Sequence, residues 1–280
     1  MLVAATPDER ARVAVVDSIT KLNETHRASV VVAGSHGGLY CGWRASTVGL
    51  RAVVLNDAGV GLEGAGIACL EQLDSVGIAA ATVDHNSARI GDGQDMLRRG
   101  RVSHVNATAD ALGCAAGMAL VSCVAFLRAA SLPSGVLPPV SEGRFVLADR
   151  ASMGVEVVGV DSASLVVPQD KHSIVVTGSH GGLLGGLPAS AIRHPCLAAA
   201  FNDAGGGADG AGYGRLPVLD EMGIAAVTVS HMSARIGDAR SSWATGWVSA
   251  ANRLAAQAGV QTGMALQSAA CCLAIAQSSH

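Results

Sequence analysis

Four short runs of uninterrupted apolar, mostly β-branched or alanine residues lead the chain, at 13–16, 30–33, 52–55 and 78–83. Runs of this length with no polar alternation predict strands buried on both faces of a parallel sheet. The stretches 39–49 and 64–76 between them have the length and the Ala/Leu content of crossover helices. The dozen residues linking the first two strands fit either a short helix or a hairpin. Two more helices are expected at 106–112 and 116–128. The second carries Gly117, Ala119, Ser122 and Cys123, small residues that would let it pack closely at a seam.

The same pattern then returns. Ser29-Val-Val-Val-Ala-Gly-Ser-His-Gly-Gly38 is echoed by Ser173-Ile-Val-Val-Thr-Gly-Ser-His-Gly-Gly182, and residues 56–92 match 202–238 at 24 of 37 positions. A repeat of roughly 140 residues is too long for a solenoid unit and right for a small domain. The chain therefore reads as a tandem duplication, with repeat lobes at 1–138 and 139–280 and a Pro/Gly/Ser-rich junction near 132–150. The expected fold is α/β: two homologous lobes of parallel strands and helices, related by a pseudo-two-fold.

Composition narrows the function. Apolar residues make up 50% of the 280 and charged residues 15%, which excludes a disordered chain. A net charge of −3 leaves no basic surface for nucleic acid. Lysine occurs only at Lys21 and Lys171, which argues against a Schiff-base mechanism. No run reaches the ~20 apolar residues of a membrane span, and the charged start does not suit a signal peptide. Seven cysteines without a CxxC pair read as reduced core thiols. A cytoplasmic protein without membrane or nucleic-acid partners is expected, and its apolar terminal helices would permit a homo-oligomer.

The polar residues cluster after the strands, where open parallel sheets bind ligands. Ser35, His36, Asp57 and His85 recur as Ser179, His180, Asp203 and His231, and these eight are the candidate catalytic residues. The candidate substrate-binding set is Gly37, Gly38, Asn56, Ser87 and Arg89, with Gly181, Gly182, Asn202, Ser233 and Arg235. Paired glycines after a strand can offer free N–H groups to an oxyanion, while Arg89 and Arg235 suit an anionic or carbonyl-bearing substrate. Asn56 and Asp57 also suit helix caps, and each arginine has an aspartate three residues on. His36, Asp57 and His85 form a conceivable two-histidine, one-carboxylate set for Zn, Mn or Fe; otherwise no cofactor is expected. Gly59-Val-Gly61-Leu-Glu-Gly64 and 205–210 match a dinucleotide-binding glycine pattern, but the intervening Asp57 would repel a pyrophosphate.

The His-Gly-Gly segment resembles the oxyanion loop of lipases and esterases over three residues, without their G-x-S-x-G elbow. The order strand, His-Gly, strand, Gly-rich turn also resembles caspase-like peptidases, but Asp57 or Ala58 stands where their cysteine would be. Neither family is adopted. The first expectation is a hydrolase of a small polar or anionic substrate with an amide, imide or lactam C–N bond. A histidine oriented by Asp57 would be its base. The alternatives are a two-base isomerase or epimerase and a non-catalytic small-ligand binding protein.

Overall fold

Strand residues divide by parity between two helix layers, as the period of two in a pleated strand requires. The first sheet has the order β1-β2-β3-β4-β5: β1 (Val13–Val16), β2 (Val30–His36), β3 (Ala52–Asn56), β4 (Ala79–Val83) and β5 (Val102–Val105). Val31, Ala33, Val53, Leu55 and Ala80 face α1 (Leu39–Val48) and α2 (Cys69–Ser75). Val30, Val32, Ala52, Val54 and Ala81 face α3 (Gly93–Arg99), α4 (Ala107–Asp110) and α5 (Leu120–Leu127). Because both faces are covered, the strands carry no polar alternation. This computed structural model describes residues 11–278; the charged start at 1–10 and residues 279–280 lie outside the described residues.

The second sheet has six strands in the order β11-β10-β9-β8-β7-β6. They are β6 (Arg144–Ala148), β7 (Glu156–Val160), β8 (Ser173–His180), β9 (Ala198–Asn202), β10 (Ala225–Val229) and β11 (Val248–Ala251). Its helices are α6 (Arg150–Met153), α7 (Arg215–Glu221), α8 (Ala239–Thr245), α9 (Arg253–Gln257) and α10 (Leu266–Ser278). The protein is α/β with two mostly parallel sheets. They are mixed, which differs from the all-parallel expectation: β5, β11 and β6 each pair antiparallel with their neighbour. These edge strands were not evident in the sequence because they are short and half-polar, as in Val102-Ser-His-Val105, or exposed on one face, as at Val146.

The link from β1 to β2 is not a hairpin but two short 3-10 helices, Ile19–Lys21 and Glu24–His26. The counterpart of α1 in the second sequence copy is unwound. There Gly185 and Gly186 take positive φ (59° and 69°) and Pro188 lacks an N–H, so the segment forms turns at Leu184–Gly186 and Pro188–Ser190.

The two sheets meet through loops. Ala58, Ile90, Ala204 and Ile236 form a small buried cluster between them. Leu62 N–H donates to His231 O (2.8 Å), Ala208 N–H to His85 O (2.7 Å) and Gly185 N–H to Gly91 O (2.8 Å). The terminal helices, expected at the seam, cover their own sheets instead. Leu120, Cys123 and Leu127 of α5 are fully buried against the first sheet, and Ala269, Ala270 and Leu273 of α10 sit in the core of the second. No helix among the described residues is long and apolar enough to cross a membrane.

Candidate functional site

The Ser-His pairs of both Ser-His-Gly-Gly stretches line one cavity of about 300 Å³ at the ends of β2 and β8, while Gly38 lines a neighbouring, larger one. Ser35, His36, Ser179 and His180 contribute to its wall, with Ser18, Ser162, Tyr40, Glu142 and Arg215. A second cavity of about 810 Å³ shares His36, Tyr40, Glu142 and Asp161 with the first, so these four stand where the two spaces meet.

The glycine N–H groups are not free for an oxyanion. Gly37 N–H donates to Asn56 O (3.0 Å) and Gly181 N–H to Asn202 O (2.8 Å), which keeps the loops on the sheet. Gly38 N–H donates to His36 Nδ1 (3.1 Å), and Gly182 N–H donates to His180 Nδ1 (3.2 Å). Gly38 has room for this only without a side chain, since a β-carbon would lie 2.7 Å from the His36 ring. The consequence is chemical. A nitrogen that accepts a backbone N–H holds the lone pair, so each neutral imidazole carries its proton on Nε2.

Both rings are held neutral. Burial lowers the His36 pKa to about 4. Burial lowers His180 well below the usual range, and Arg215 and His36 nearby push in the same direction. Each is therefore a hydrogen-bond donor at Nε2 rather than a base. Ser35 Oγ accepts from Ile19 N–H and Ser179 Oγ from Ala163 N–H, both at 2.9 Å, which leaves each hydroxyl proton to donate. Ser35 and His85 make no hydrogen bond with each other among the described residues.

Asp57 and His85 lie outside this cavity and form a His–Asp pair at the seam. Asp57 Oδ1 accepts from His85 Nδ1, His85 N–H and Gly59 N–H, each at 3.0 Å. Burial would raise the Asp57 pKa, but the hydrogen bonds from His85 and Gly59 outweigh it and hold the carboxyl low. The bond to Asp57 in turn raises His85. Asp203 Oδ1 repeats the arrangement with His231 Nδ1 and N–H (2.9 Å) and Gly205 N–H (3.0 Å).

The remaining sequence candidates are engaged within the fold. Asn56 and Asn202 are fully buried and accept from Ala58 and Ala204 N–H at 2.9 Å. Ser87 bridges Asp84 O and Arg101 N–H, and Ser233 bridges Ser230 O and Trp247 N–H. Arg89 pairs with Asp209 (2.9 Å), while Arg235 reaches Glu63 (2.8 Å) and Asp238 (3.0 Å). Arg235 lines the larger cavity.

His36 does not join Asp57 and His85 as a metal set, and its one neutral-ring lone pair is taken by Gly38 N–H. Among the described residues, Asp57, Asp84 and His85 bring one ligand atom each within 4.8 Å. His85 Nδ1 donates to Asp57 there, so a cation would have to use Nε2, to which Asn86 Nδ2 lies at 3.1 Å.

Two cavity residues escaped the sequence reading. Glu142 is raised to about 7, by burial first and then by the charge of Asp161, against the Ser162 hydroxyl. It lies in the junction between the copies. Arg215 is 4% exposed, and burial lowers its pKa to about 10, so it stays charged at neutral pH. Its counterpart is Cys69, so a search for matched residues passes over it. No protein-family model, curated protein or solved structure matches this chain.

Proposed function

We propose that this chain is a hydrolase of small polar compounds, cutting an amide, imide or lactam C–N bond in the cavity lined by the Ser-His pairs of both Ser-His-Gly-Gly stretches. The observation that carries the reading is the pair of imidazoles fixed by Gly38 and Gly182 as Nε2–H donors on a cavity that also holds Glu142. The base is then Glu142 rather than a histidine. Ionised, it takes a proton from a water that attacks the carbonyl carbon. His36 and His180 donate to the oxygen as negative charge develops there. The C–N bond breaks as protonated Glu142 returns the proton to nitrogen, leaving a carboxylic acid and an amine. A carboxyl with a pKa near 7 suits both steps at neutral pH.

A pseudo-two-fold between the two sequence copies supports a shared site. Seam contacts are reciprocal: Leu62 with His231 and Ala208 with His85, Gly59 with His231 and Gly205 with His85. Assembly into a homo-oligomer rests on the exposed Val121 and Phe126 of α5. A reducing compartment such as the cytoplasm suits seven unpaired cysteines, five of them buried.

The test is release of ammonia or amine from a panel of small amides, imides and lactams. Turnover that falls ~10²-fold or more in Glu142→Gln supports the reading. One other outcome has a structural basis: neutral Nε2–H donors beside a carboxyl base also suit proton removal next to a carbonyl. Exchange of a substrate C–H with solvent deuterium without net hydrolysis would make the chain an isomerase. Binding without either reaction would make it a binding protein.

A further inference from the structure

Among the described residues Arg215 is a buried charge without a countercharge. Its Nε donates to Gly182 O (3.0 Å), and its Nη1 donates to Ser190 O (3.0 Å) and to Ala191 O. The guanidinium lies over the Phe201 ring, 4.9 Å from its centre. Among the described residues no carboxylate pairs with it, and Nη2 has no protein hydrogen bond. Burying an unpaired ion is costly, and the cavity that Arg215 lines is open to a partner for it.

The two sequence copies differ here in a coordinated way. In the first, α1 is a regular helix that keeps its carbonyls in its own turns, and Cys69 packs against Gly42 within it. In the second, the unwound turns release the carbonyls of Ser190 and Ala191, and these hold Arg215 in place. Loss of a helix and gain of an arginine create an acceptor cradle for one cation on one side of the cavity.

We propose that the cavity takes a small substrate bearing a carboxylate, and that Arg215 reads that group through Nη2. His180, beside Arg215, supplies a second donor at Nε2. With Nε and Nη1 already committed, the guanidinium binds the carboxylate by one hydrogen bond and by charge rather than as a fork. The scissile carbonyl then lies toward Glu142 and His36, where the two cavities meet. This polarity of the substrate rests on the hydrolase reading; the carboxylate subsite itself does not.

The test compares succinamate with its neutral diamide, succinamide, by titration calorimetry of the full chain at pH 7. Succinamate is expected to bind at least ~10-fold more tightly, about 1.4 kcal/mol. The preference should vanish in Arg215→Met and survive in part in Arg215→Lys. The same cavity is lined by a second arginine, Arg193, whose Nη1 donates to Ser164 O (3.0 Å). Equal affinities, no binding of either up to about 10 mM, or a preference lost in Arg193→Met and kept in Arg215→Met would overturn the inference. The wild-type comparison decides even where Arg215→Met does not fold. Charge-selective binding with no C–N cleavage supports Arg215 and removes the hydrolase reading. Equally fast cleavage of both compounds supports the hydrolase and removes the carboxylate subsite.

Discussion

Gly205 lies against the imidazole of His85, so closely that a methyl group on its α-carbon would stand 2.7 Å from Cδ2 and 2.9 Å from Nε2. Its φ of 77° adds the ordinary cost of a left-handed alanine. Gly205→Ala is therefore expected to destabilise the fold by about 2–4 kcal/mol. Urea denaturation gives the value directly. A loss under ~0.5 kcal/mol would mean that the seam can give way at His85.

The histidines make stability depend on pH from both sides. Folding lowers the His36 pKa from the ordinary 6.5 to about 4, so between these values the unfolded chain binds more protons. The His36 contribution is then complete above pH 6.5 and declines as the pH falls toward 4, by on the order of 3 kcal/mol. His180 adds to this in the same direction. His36→Asn keeps an acceptor for Gly38 N–H and should flatten the slope across that window. Matching slopes in denaturation series of the two proteins would refute the burial argument.

His85 acts with the opposite sign. Its folded pKa is raised by Asp57, so its contribution is complete below the unfolded value near 6.5 and is lost as the pH rises through the folded one. The stability contributed by His85 should decline as the pH rises above about 6.5 in the wild type and be missing in His85→Gln. The same denaturation series, extended to alkaline pH, reads this out.

Glu142 should titrate near 7 in carbon-detected NMR of labelled protein, because burial and Asp161 both oppose its ionisation. Asp161→Asn removes the second cause and is expected to move the pKa down toward the ordinary carboxyl range. A Glu142 resonance that titrates near 4.5 in the wild type would deprive the proposed mechanism of its base.

Thiol reactivity provides a further check. Cys271 is exposed and Cys272 half-buried, while Cys41, Cys69, Cys114, Cys123 and Cys196 are buried. Burial pushes the Cys69 and Cys196 thiols up to about 12, so neither forms thiolate near neutral pH. Ellman's reagent should find about two reactive thiols in the native protein and all seven in denaturant. Rapid native modification of a third would place a buried cysteine at the surface.

The sequence by itself determined the layers, because a strand covered on both faces must be apolar at every position. Runs such as Val30-Val-Val-Ala33 therefore mark β2, β3 and β4 without any knowledge of what covers them. It also marked the polar strand ends, since residues such as His36 and Asp57 have no place inside those runs. What each polar group does was decided by tertiary structure. The Gly37 and Gly38 N–H groups look free in sequence, but the carbonyl of Asn56 and the ring of His36 claim them, and this turns His36 from a base into a donor. Asp57 pairs with His85 rather than with His36, and packing sets this pair at the seam rather than in the cavity. Arg215 and Glu142 were invisible to a comparison of the copies because one replaces a cysteine and the other lies in the junction. Their significance comes only from burial and from what stands next to them, properties that exist once the two sheets have closed around the cavity.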